Sequence, residues 1–249
     1  MAVQPEIRVF PSLQELFEYA AQEFVKQANA AIAARGRFCV ALSGGSTPKA
    51  LYSLLAQKSG IAWDKICFFW GDERHVPPDH PESNYRMAYE SLLSKVPVNP
   101  ANVFRVPSEN PDAEATAAEY EQTLKTFFHL TPGEFPRFDL ILLGLGPDAH
   151  TASLFPGTKA LHERSRLVVA NWVEKFKTYR LTFTVPVLNE AVCVAFLAAG
   201  KDKAPAVKAV FDKNSSPEQF PAKLVQPRDG RLVWLLDKEA AGNVAAKSV

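Results

Sequence analysis

From Ser12 to Gly36 the apolar residues recur at steps of three and four. Leu13, Leu16, Phe17, Ala20, Phe24, Ala28 and Ile32 fall on one stripe, which predicts an amphipathic helix. Ser12 followed by Glu15 is a capping-box start, and Gly36 suits the stop. A dense apolar run over 38–42 then predicts a strand. It ends in Ser43-Gly44-Gly45-Ser46-Thr47-Pro48, after which Ala50, Leu51, Leu54 and Leu55 resume helical spacing. The same order of strand, small polar loop and helix returns at 66–70, whose loop 71–75 leads through a proline-rich stretch to a helix from Asn84 to Lys95. A strand is expected near 103–106. The next helix is expected to start at Asn110-Pro111, with Tyr120, Leu124, Phe127 and Phe128 on its apolar face. Residues 140–143 form the most apolar strand and open into the loop 144–150. Two β-rich runs, 166–173 and 179–185, precede a strand at 193–197, a loop at 200–204, another helix and a last strand at 231–236.

Unbroken apolar strands that alternate with amphipathic helices predict an α/β fold: a doubly wound, mainly parallel sheet with helices on both faces. No flexible or charged linker divides the 249 residues, so the expectation is a single domain spanning 1–249. In such sheets ligands bind outside the carboxyl ends of the strands. Four strands deliver a polar, glycine-containing loop to that end: 43–48, 71–75, 144–150 and 200–204. Together these loops offer Ser, Thr, Asp, Arg, His and Lys, which predicts one site for an anionic, hydroxyl-bearing small molecule.

Composition narrows the class of function. Lys+Arg number 28 and Asp+Glu 27, a formal net charge of +1 that gives no electrostatic case for nucleic acid or an anionic membrane. Hydrophobic residues at 47% supply a core, and nowhere do 18 apolar residues run together. The expected location is cytoplasmic. Cys39, Cys67 and Cys193 lie singly in apolar runs and read as buried free thiols. Nothing in the charge balance or the helix patterns calls for an obligate dimer, so a monomer is expected.

The loop 43–48 sets small residues between a strand and a helix, where backbone N–H groups and hydroxyls can meet an oxyanion at a helix amino terminus. It lacks the P-loop spacing, and neither Ser43 nor Ser46 sits in a nucleophile elbow. The plain alternative is an ordinary β–α turn. Gly144-Leu145-Gly146-Pro147-Asp148-Ala149 fits the dinucleotide fingerprint formally, but Pro156 leaves little room for the long helix that motif needs. In the same loop His150 follows Asp148; it is either an exposed loop residue or a general base, since imidazole is the commonest general base and a nearby carboxylate can orient it. No histidine falls in a metal-ligand spacing. Asp72-Glu73-Arg74 is either a surface ion-pair cluster or the source of a guanidinium for a phosphate or oxyanion. Arg180 and Lys203, each beside a strand, are either solvated surface residues or further candidate phosphate contacts.

Four motifs taken together resemble the 6-phosphogluconolactonase family: Ala41 to Pro48; Gly71-Asp72-Glu73-Arg74 with Ser83-Asn84-Tyr85; Gly144 through Pro156; and Arg180-Leu181-Thr182 with Gly200-Lys201-Asp202-Lys203-Ala204. The resemblance runs in order over nearly the whole chain. It implies an α/β fold related to glucosamine-6-phosphate deaminase and the hydrolysis of 6-phospho-D-glucono-1,5-lactone in the oxidative pentose phosphate pathway. It implies a functional link to glucose-6-phosphate dehydrogenase, and neither metal nor cofactor. The implied catalytic residues are His150 as general base, Asp148 orienting it, and Arg74 meeting either the carbonyl oxygen or the phosphate. Gly44, Gly45, Ser46, Thr47, Arg180 and Lys203 would bind substrate, with Asp72 ranked lower. Two rival readings remain: a deaminase, disfavoured by Arg74 and by Asp148-Ala149-His150, and a non-catalytic sugar-phosphate binder. Ala149 stands where the family usually has glycine. If that position needs a positive φ, alanine costs about 1 kcal/mol.

Overall fold

The computed structural model describes residues 3–244. In chain order the elements are β1 (Glu6–Phe10), α1 (Leu13–Arg35), β2 (Phe38–Leu42), α2 (Ser46–Leu55), β3 (Ile66–Trp70), β4 (Asp72–Arg74), α3 (Asn84–Ser91), α4 (Ala113–Phe128) and β5 (Leu140–Gly144). They continue with β6 (Val168–Val173), β7 (Thr178–Phe183), α5 (Val185–Asn189), β8 (Cys193–Ala198), α6 (Ala204–Phe211), β9 (Arg231–Asp237) and α7 (Lys238–Ala241).

The central sheet is six-stranded and parallel throughout, in the order β1-β9-β8-β5-β2-β3. β2, β3 and β8 are buried at every position, which is why their sequences read as unbroken apolar runs instead of alternating ones. From β2 the chain steps outward to β3, then returns past β2 to place β5 on its other side. The strand order therefore reverses between β2 and β5, and a crevice opens there at their carboxyl ends. That reversal brings the loops 43–48 and 144–150 side by side.

A second sheet, antiparallel in the order β4-β7-β6, is formed by the two expected β-rich runs and by residues expected to be loop. Gly71 is the junction. Its N–H donates to the Leu42 carbonyl of the first sheet, and its own carbonyl accepts from the Phe183 N–H of the second. Asp72–Arg74 thus leave the central sheet and cross above the crevice. One hydrophobic cluster serves both sheets, running from Leu42 and Phe69 to Val168, Leu181 and Phe183.

Capping follows the sequence closely at α1, where the Ser12 hydroxyl accepts from the Glu15 N–H and Gly36 takes the left-handed conformation at φ 75°. At α4 the cap lies two residues later than expected: the Asp112 carboxylate accepts from the N–H groups of Glu114 and Ala115, and Asn110 instead bonds the Asp112 N–H. The strand expected at 103–106 is reduced to a single bridge from Val103 to Phe68. In the other direction, β1 was not anticipated. The three cysteines are free and buried. No described helix is long and apolar enough to cross a membrane.

Candidate active site

Two glycines and a helix start shape the floor of the crevice. Gly45 precedes α2 with φ 105°, a conformation that L side chains rarely adopt. It turns the chain so that α2 begins at Ser46 with no side-chain cap, leaving the first N–H groups of the helix for an anion. Behind it, the Tyr52 hydroxyl bonds both the N–H and the carbonyl of Ser43, fixing the loop to its own helix. Facing this loop, the chain after β5 makes a tight turn in which the Gly146 N–H donates to the His150 carbonyl and the Ala149 N–H to the Gly146 carbonyl. Ala149 sits at φ 57°, so the strain foreseen for alanine is present, and its methyl is buried in the core. No long helix follows; the next regular element is one 3-10 turn, Lys159–His162, which removes the dinucleotide reading.

The turn presents His150 to the cleft and Asp148 behind it. His150 Nδ1 lies 2.5 Å from Asp148 Oδ1, and the His150 backbone N–H reaches the same oxygen at 3.3 Å. Burial by itself would raise the Asp148 carboxyl, but the hydrogen bonds and positive field of His150 outweigh it and bring it down to about 2. An ionised carboxylate only accepts, so Nδ1 is the ring nitrogen that donates to Asp148. The ring stacks on Phe155 at 4.1 Å between centroids.

Because the Asp148 value lies below the ordinary 3.8, its pairing contributes stability in full above about pH 4, and that stability is lost as pH falls through about 2. Urea unfolding followed from about pH 5 down to about pH 2 is expected to show a steeper acid loss for the wild type than for Asp148→Asn. Equal slopes would contradict the pairing.

The opposite wall comes from the second sheet. Arg74 and Arg180 are directly opposed in the antiparallel register of β4 and β7. Arg74 also donates to the Glu82 carbonyl. Burial lowers the Arg180 guanidinium below its ordinary value, and the Arg74 charge adds to the effect. Like charges opposed across a strand pair are destabilising unless an anion stands between or beside them. Asp72 faces the same space, its Oδ2 accepting from the Ser153 hydroxyl at 2.8 Å. Lys203, with Nζ 3.0 Å from Asp202, closes the rim at the carboxyl end of β8.

A cleft of about 320 Å³ is lined by Gly44, Gly45, Ser46, Thr47, Asp72, Arg74, His150, Arg180 and Lys203. Asp148 stands behind His150 and opens onto a neighbouring groove instead. Among the described residues no three His, Cys, Asp or Glu side chains are grouped as metal ligands.

Glu73 belongs to neither reading of the Asp72-Glu73-Arg74 run. It is buried, and its carboxylate accepts from the Asn84, Tyr85 and Arg74 N–H groups and from the Ser83 hydroxyl. It therefore caps α3, and burial raises its pKa despite those bonds. Glu73→Ala leaves buried donors unpaired and is expected to cost about 2–4 kcal/mol in urea unfolding; a loss under about 1 kcal/mol would show that the cap is dispensable.

Sequence reasoning did not single out Phe155 or Phe176, both of which line the cleft. Phe176 left one signal: an aromatic residue alone among charges in Glu174-Lys175-Phe176-Lys177, between two β-rich runs.

A family model described as glucosamine-6-phosphate isomerases/6-phosphogluconolactonase matches residues 11–234. A Synechocystis sp. protein named 6-phosphogluconolactonase is 46% identical over 240 residues, covering 96% of this chain and 98% of that protein. The solved 6-phosphogluconolactonase from Trypanosoma cruzi superposes with TM-score 0.86 at 32% identity, over 98% of each chain. A monomeric glucosamine-6-phosphate deaminase shares the fold, with TM-score 0.79 at 24% identity over 95% of this chain and 98% of that one. From a match spanning most of its length and relatives this similar, the chain belongs to the glucosamine-6-phosphate isomerase/6-phosphogluconolactonase family.

Proposed function

We propose that the chain hydrolyses 6-phospho-D-glucono-1,5-lactone to 6-phospho-D-gluconate, with His150 as general base. The observation that carries this reading is the Asp148–His150 pair, in which the carboxylate holds Nδ1 of a ring that lines the cleft. The 46% identity to a protein named for this activity supports the substrate.

Water held against Nε2 gives up a proton to the ring as its oxygen attacks the lactone carbonyl carbon. Asp148 stabilises the imidazolium that forms. The tetrahedral intermediate then collapses: the ring C–O bond breaks, the carboxyl group is released, and the departing ring oxygen takes the proton back from His150. The substrate phosphate is held by the N–H groups of Gly45, Ser46 and Thr47 at the start of α2. Arg180, Lys203 and Arg74 supply its counter-charge. The opposed pairing of Arg74 with Arg180 favours the phosphate over the carbonyl oxygen as the partner of Arg74. Asp72, fixed by Ser153, accepts from a sugar hydroxyl.

The test is hydrolysis of freshly generated 6-phosphogluconolactone, corrected for its spontaneous rate, beside the unphosphorylated lactone and glucosamine 6-phosphate. Fast turnover that depends on the phosphate is expected. Ammonia release from glucosamine 6-phosphate in its place would assign the deaminase reaction, and inertness toward all three would assign a binding protein.

A further inference from the structure

Phe176 ends the turn Glu174–Phe176 that joins β6 to β7, and it lines the cleft while left 45% exposed. Core packing does not account for an aromatic ring in that place. Its contacts do have a pattern. The Arg180 guanidinium and the Lys175 ammonium both lie over the ring, each 5.5 Å from its centroid. Phe155 meets it edge to face at 5.7 Å, and Phe155 in turn stacks on His150. The preceding residue, Lys175, reaches Asp148 Oδ2 at 4.0 Å. One short turn therefore touches the anion-binding wall directly and the base through Phe155 and Asp148.

We propose that Phe176 is a positioning residue: its ring holds the Arg180 guanidinium aimed into the cleft and braces Phe155 behind His150. The proposal rests on the roles given to Arg180 and His150 under the proposed function. Its physical basis is the opposed arginine pair. Arg74 repels Arg180, and a long flexible side chain would swing into solvent to escape it. The negative face of an aromatic ring attracts the guanidinium and keeps it in place before any anion arrives. A phosphate then meets a donor fork that is already oriented, with less side-chain freedom left to lose.

The test compares Phe176→Leu, Phe176→Ala and Phe176→Tyr with the wild type, by calorimetric titration with inorganic phosphate and by lactone kinetics. Leucine keeps apolar bulk against Phe155 but has no π face. It is expected to weaken phosphate binding about two- to five-fold and to raise KM for the phosphorylated lactone by the same factor, with kcat unchanged. Alanine also removes the brace and lowers kcat, and tyrosine restores both. Melting temperatures stay at the wild-type value, since the side chain is half exposed. Wild-type phosphate affinity in both the leucine and alanine variants overturns the proposal, as does a tyrosine variant as impaired as alanine. If the wild type binds phosphate but hydrolyses no lactone, the proposed function fails while the titrations still decide the role of Phe176.

Discussion

His150→Ala is expected to lower kcat for the phosphorylated lactone by about 10²–10⁴-fold, the range a positioned general base contributes. Product binding should stay near wild type, because the residues assigned to the phosphate lie on other loops: α2 starts after β2, and Arg180 comes from β7. The fold should survive, since the His150 side chain is 24% exposed and its deletion leaves a notch at the surface of the cleft. Asp148 would lose its proton-donating partner but keeps Lys175 nearby. Steady-state kinetics with calorimetric binding of 6-phosphogluconate checks both halves. Retained turnover would remove the base from the mechanism, and lost binding would move His150 into substrate recognition.

Gly146→Ala is expected to reach a similar loss without touching any reacting group. A methyl at Gly146 would stand 2.0 Å from His150 Nδ1 and 2.1 Å from Cε1, distances that no packed structure tolerates. The backbone there is not in the left-handed region, so alanine itself is acceptable to the chain. The ring must therefore give way, leaving both Asp148 and its stack on Phe155. A displacement near 1 Å typically costs about 10²-fold in rate. The double variant Gly146→Ala/His150→Ala isolates the route: if the glycine acts only through the ring, the pair is no slower than His150→Ala alone. A further loss in the double variant would show that Gly146 serves catalysis in another way, such as shaping the loop itself.

Much of the architecture could be seen in the chain because parallel strands buried on both sides are written as continuous apolar runs, and β2, β3, β5 and β8 are of that kind. Their loops carry the polar residues, so the convergence at the carboxyl end was legible too. What escaped has short range or remote partners. β4 is three polar residues whose strand character depends wholly on pairing with β7, more than a hundred residues later. β1 mixes polar and apolar positions at a sheet edge, where one flank is unpaired and burial is only partial. Val103 to Val106 has strand composition but finds a single bridge to β3. Phe176 acquires its neighbours only when the β6–β7 turn folds over the cleft, and no local pattern carries that information.

The pairing of β1 with β9 has a bearing on how the protein is made. Glu6 and Arg231 meet through two hydrogen bonds across 225 residues of chain. While a ribosome is still elongating, the amino-terminal strand has no native partner until β9 has been synthesised. At ordinary elongation rates that interval is about 11–45 s. During it the hydrogen-bonding edge of β1 waits unpaired, joined by the flank of β8 once residues 193–198 have been made. Closure of the central sheet by β1 thus waits on the synthesis of Arg231–Asp237.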